Sequence, residues 1–116
     1  MGEFVEVAKR DELKDGAMKA VDAVGHEILL VRIGDKYYAA DNRCPHLGGN
    51  LSQGKLEGTV VTCPRHGSQF DLSDGHVVRW LKGSGLVSAV GKLLKPSKPL
   101  PIYNVKVEDD RILVEI

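Results

Sequence analysis

Apolar and polar residues alternate over much of the chain with the period of two expected of strands that bury one face. Phe4 to Ala8 alternates, Met18 to Val24 and Glu27 to Ile33 flank a Gly25-His26 turn, and Lys36 to Ala40 follows a Gly34-Asp35 turn. This grammar predicts an antiparallel meander, with polar Asp11 to Gly16 as a turn or a single helical turn. Strand patterning returns at Gln69 to Leu72 and Gly75 to Trp80. It closes with Ile102 to Val107 and Arg111 to Ile116 about an Asp109-Asp110 turn.

Two stretches break the rhythm. From Asp41 to Asp71 the chain is rich in glycine and holds both cysteines, with one strand-like segment, Gly58 to Thr62, in its middle. Over 84–95, Leu86, Val87, Val90, Leu93 and Leu94 recur at helical spacing, with Ser84 as N-cap and Pro96 as a stop. The expected fold is therefore all-β: an antiparallel sandwich or barrel framework over 1–41 and 72–116, an inserted loop-rich subdomain at about 42–71, and one short helix near 84–95. Twelve helical residues bury little area, so this helix is read as lying on the framework. Pro96, Pro99 and Pro101 stiffen the approach to the final hairpin.

Length and charge narrow the function classes. At 116 residues the chain fits a single domain, and its sixteen basic residues balance sixteen acidic ones, which leaves no nucleic-acid footprint. No apolar run approaches the roughly 18 to 20 residues that span a bilayer, and the start lacks the h-region of a signal peptide. The expectation is a cytoplasmic monomer that binds neither membrane nor nucleic acid. Two cysteines are too few for a disulfide-stapled fold, and each is followed by proline and, within three residues, by histidine, which points to metal.

The metal-binding pattern is Cys44-Pro45-His46 and, after sixteen intervening residues, Cys63-Pro64-Arg65-His66. Each motif offers one thiolate and one imidazole from a loop with glycine, Gly48 and Gly49 in the first and Gly67 in the second. Glycine there lets backbone come close to a metal centre and aim N–H groups at bound sulfur. A tetrahedral zinc site is the alternative, but a zinc knuckle separates paired ligands by about two to four residues, and the Cys-x-His half is shorter. A binuclear cluster taking one cysteine and one histidine from each loop accommodates both halves.

The segments CPHLGGNL and CPRHGSQFD resemble the cluster-binding signature of the Rieske family. The resemblance runs from the first strands to the closing pair and is least typical over 82–101. It implies a Rieske-like fold and one [2Fe-2S] cluster, with Cys44 and Cys63 on one iron and His46 and His66 on the other. Two thiolates and two neutral imidazoles leave an oxidised core about neutral. Its potential then falls in the Rieske range of roughly −150 to +300 mV, against about −400 mV for plant-type clusters with four thiolates. High-potential members carry a disulfide between the loops and hydroxyl donors. Here Gly49 and Arg65 stand near the disulfide positions, Ser68 keeps one hydroxyl, and Phe70 replaces a tyrosine, so a low potential is implied.

The implied role is electron carrier, not enzyme: a ferredoxin taking electrons from a reductase to a terminal oxygenase or similar acceptor, as in bacterial ring-hydroxylating systems. An accessory redox subunit, of the kind in assimilatory nitrite reductase, is the alternative. Arg43 and Arg65 beside the ligands would favour the reduced cluster. The stretch from Gly75 to Val107 contains Arg79, Lys82, Lys92, Lys95, Lys98 and Lys106 but no acid, which suggests a basic cluster end facing an acidic partner. His26 and His76 are read as surface residues, and Trp80, Tyr37, Tyr38 and Tyr103 as framework.

Overall fold

A computed structural model describes residues 3–44, 49–64, 67–79 and 99–116. The helix expected near 84–95 and Trp80 lie outside these residues, as do His46, Gly48, Arg65 and His66. The strands are β1 (Phe4–Lys9), β2 (Met18–Ala23), β3 (His26–Ile33), β4 (Lys36–Asp41), β5 (Lys55–Glu57), β6 (Val60–Thr62), β7 (Gln69–Asp71), β8 (Val77–Arg79), β9 (Ile102–Tyr103), β10 (Val105–Glu108) and β11 (Arg111–Glu115). They form three antiparallel sheets, ordered β1-β11-β10, β2-β3-β4-β9 and β5-β6-β7-β8. The expected all-β antiparallel architecture is thus present, with β8, placed in the framework by the expected bounds, pairing instead in the sheet of β5, β6 and β7.

The β2-β3-β4-β9 sheet lies between the other two, and β3 shows why. Its Ile28 and Leu30 pack with Ala8, Ile112 and Val114 in one core, whereas Leu29 and Val31 pack with Leu51, Val61 and Phe70 in a second. A strand buried on both faces reads as a continuous apolar run, Ile28-Leu29-Leu30-Val31, and not as an alternation. Each of these side chains contributes about 1.5–3 kcal/mol by leaving water. Ala39 and Ala40 on β4 divide between the same two cores.

The β2–β3 turn corrects one expectation. It falls on Val24 and Gly25, not on Gly25-His26, and Ala23 pairs with His26. Both turn residues have positive φ, 50° for Val24 and 82° for Gly25, as a two-residue turn matching the strand twist requires. Glycine adopts this readily, while a β-branched valine is strained there. Polar Asp11 to Gly16 becomes a short 3-10 turn at Arg10–Glu12 and a bend. No helix among the described residues is long and apolar enough to cross a membrane.

Candidate metal centre

The two cysteine loops are built to one plan. In the first, the N–H of Cys44 donates to the carbonyl of Gly49 at 2.8 Å, above a bridge between Arg43 and Asn50. In the second, the N–H of Cys63 donates to the carbonyl of Ser68 at 2.7 Å, above the Thr62–Gln69 pair of β6 and β7. Arg43, Cys44, Gly49 and Asn50 therefore answer to Thr62, Cys63, Ser68 and Gln69. Gly67 closes a tighter turn inside the second loop, its N–H donating to the Cys63 carbonyl at 3.1 Å with φ at 74°.

Neither cysteine is in a disulfide, both are 3% exposed, and both belong to the core that holds Leu29, Val31, Phe70 and Leu72. Sequence-distant cysteines are thus brought into one buried environment on loops of equal frame. Thiols outside a disulfide and shielded from water are a donor set suited to iron and sulfide. Gly49, Ser68 and Phe70 are buried. Phe70 sits on β7 opposite Val61 and offers no hydroxyl. Among the expected site residues, Cys44, Gly49, Cys63, Gly67, Ser68 and Phe70 are therefore placed together around the two loops.

Several supporting residues escaped the sequence reading. Asn42 is wholly buried with every polar group used. Its Nδ2 donates to Glu27 Oε2 at 2.5 Å and to Asn50 Oδ1 at 2.7 Å, and its Oδ1 accepts the Ser52 N–H at 2.9 Å. Its backbone N–H donates to the Glu27 carbonyl, and its own carbonyl accepts from Leu51. One side chain thereby ties both flanks of the first loop to β3. The sequence signal was a polar residue directly after a strand and two before a ligand, too common to stand out.

Glycine supplies two close approaches. A Cβ on Gly54 would lie 1.9 Å from the Thr62 carbonyl oxygen, so the chain leaving the first loop rests on the base of the second. A Cβ on Gly75, whose φ is 82°, would lie 2.1 Å from the Leu100 carbonyl oxygen. The Leu100 N–H donates to Gly75 at 2.8 Å, and the Leu100 side chain enters the cysteine core.

The charges differ from expectation. Arg43 does not stand as an unbalanced cation: its Nε and a second guanidinium nitrogen each lie 3.2 Å from Glu27 Oε1. Lys106 is on β10, paired with Glu108 at 3.2 Å and over the Phe4 ring, away from the cysteine core. It adds nothing to a basic cluster end, and the side chains of Arg79, Lys82, Lys92, Lys95 and Lys98 lie outside the described residues. Hydrogen bonds from Ser73 hold the Asp71 carboxyl below its ordinary value. Those from His76 do the same for Asp74. Burial, with an Asp41 hydrogen bond, pushes Tyr103 up to about 12. Exposed His26 meets the Tyr103 ring edge-on, and exposed His76 pairs with Asp74.

Known proteins match this arrangement. The family model described as Rieske [2Fe-2S] domain matches residues 3–88. The ferredoxin component of the naphthalene 1,2-dioxygenase/salicylate 5-hydroxylase systems of Ralstonia sp is 29% identical over 97% of this chain and 95% of its own. The ferredoxin component of the alkene monooxygenase system of Xanthobacter autotrophicus is 35% identical over 85% of each. Among solved structures, the ferredoxin of carbazole 1,9a-dioxygenase from Nocardioides aromaticivorans superposes with a TM-score of 0.79 at 32% identity, covering 96% of this chain and 95% of that one. A ferredoxin solved in complex with the reduced oxygenase of a carbazole 1,9a-dioxygenase gives 0.76 at 27% identity, over 97% and 92%. These relatives are electron-transfer components and not themselves catalysts. With its two matched cysteine loops and a family match over residues 3–88, the chain belongs to the Rieske [2Fe-2S] family.

Proposed function

We propose that this chain is a low-potential carrier whose [2Fe-2S] cluster is bound by Cys44 and Cys63 on one iron and by His46 and His66 on the other. The observation that supports the cysteine half of this assignment is the pair of equivalent loop closures, which deliver two buried thiols to one core, and the histidine half rests on the Cys-x-His and Cys-x-x-His spacing. When bound, the cluster takes up and returns one electron. The protein's own part is to hold the thiolates apart from water, fix loop geometry by backbone hydrogen bonds, and set the local charge. Phe70, wholly buried and without a hydroxyl, supports placing the potential in the lower part of the Rieske range.

The similarity to ferredoxin components supports a reductase as donor and a terminal oxygenase as acceptor. On the same reading the 116 residues form a single domain that works as a cytoplasmic monomer. Purified protein is expected to be red-brown, with two irons and two labile sulfides, and to give a Rieske EPR signal on reduction. Cys44→Ala and Cys63→Ala are expected to lose the cluster. His46→Cys, where a cluster still assembles, adds negative charge and lowers the potential; an unchanged or raised value would sink the ligand assignment. A size-exclusion run checks the monomer, and single-turnover mixing with an oxygenase of this type checks the acceptor.

A further inference from the structure

The Glu27 carboxylate, on β3, faces the two residues that precede Cys44. Oε2 accepts from the Asn42 amide at 2.5 Å, and Oε1 lies 3.2 Å from the Arg43 guanidinium. Both oxygens are therefore engaged on the stem of the first loop, and the carboxylate offsets the charge of Arg43 beside the cysteine. We propose that Glu27 is a positioning residue that sets the reduction potential through the balance of its charge with that of Arg43. This rests on the assignment of Cys44 as a cluster ligand.

Adding an electron makes the cluster more negative, so a net positive charge nearby favours the reduced form and a net negative charge opposes it. As a pair, Glu27 and Arg43 sum to zero. Removing the carboxylate leaves one positive charge on the loop stem, and removing the guanidinium leaves one negative. A unit charge roughly 10 Å from a redox centre, in a medium between protein and water, changes a one-electron equilibrium by about two- to tenfold. For a one-electron couple, tenfold is about 59 mV. Glu27→Gln keeps an oxygen for the Asn42 amide, so it removes the charge while retaining the clamp.

The test is the midpoint potential of the holoprotein and of Glu27→Gln, Arg43→Gln and the double variant at low salt, with iron, sulfide and EPR measured on each. The expected result is a rise of about two- to tenfold in the reduction equilibrium constant for Glu27→Gln, a fall of similar size for Arg43→Gln, and near-recovery in the double variant. A merely structural contact would move both single variants in one direction. Same-sign shifts, no shift, or no recovery in the double variant would each overturn the inference. Should Glu27→Gln fail to hold its cluster, Arg43→Gln decides alone: its potential must fall. A Cys44→Ala protein that kept the Rieske signal would instead defeat the ligand assignment, a separate outcome.

Discussion

The two cysteine loops share a closure and differ in what holds it. The second springs from β6 and β7, two inner strands flanked by β5 and β8, so its stem is fixed by a ladder on both sides. The first springs from the end of β4, where the Asn42 N–H still reaches the Glu27 carbonyl on β3, and among the described residues a single bridge, Arg43 to Asn50, joins its two arms. There the buried Asn42 amide does what the sheet does for its counterpart, linking Glu27, Asn50 and Ser52. A loop stem can be held by backbone or by one saturated side chain, and the two respond to different insults.

That contrast can be broken from either side. Gly54→Ala should have the largest effect, about 3 kcal/mol or more, because its Cβ would sit 1.9 Å from a backbone oxygen that cannot swing aside. Denaturant unfolding measures it, and a cost under about 1 kcal/mol would mean that the second stem yields to the added methyl. Asn42→Ala follows at about 2–3 kcal/mol, since several partly buried partners lose their hydrogen bonds together. Amide exchange should show first-loop protection falling while that of β6 and β7 persists. Equal loss in both loops would contradict the division.

Val24→Asn acts in the opposite direction. It relieves a β-branched residue at φ 50° in the hairpin that delivers Glu27, and should stabilise by about 1 kcal/mol in thermal melts. A smaller effect is expected from acid on the β7–β8 turn. The Asp71 carboxyl titrates below its usual 3.8, so its contribution is present above that value and fades as pH falls through the lowered folded value. Local exchange at Ser73 should rise there; an increase already complete above 3.8 would contradict the Ser73 hydrogen bonds as its cause.

Much of the framework was legible because its signals are local. Gly34-Asp35 and Asp109-Asp110 mark turns that the chain makes, period-two alternation marks β1, β2 and β10, and the short apolar run Ile112-Leu113-Val114 marks β11. The Val24-Gly25 turn was misplaced by one residue because valine is not expected at positive φ. Strand β5, Lys55–Glu57, went unseen: its one apolar residue gives no period, and it exists by pairing with Val60–Thr62. The loop positions of Cys44 and Cys63 were readable from spacing. Asn42 was not, since its burial depends on Glu27, which arrives from β3 and not from its own loop. Arg43 looked like a cation at the cluster for the same reason.

Gly54 resting on the Thr62 carbonyl has a bearing on cofactor assembly. The stop between the two loops is backbone against backbone, so the gauge separating their stems is cut by the polypeptide itself and not by the cargo it receives. Side chains around it can drift without altering that gauge, provided position 54 stays bare. An arriving iron-sulfur unit would meet stems already set to width, and little of its binding energy would go into pulling them together.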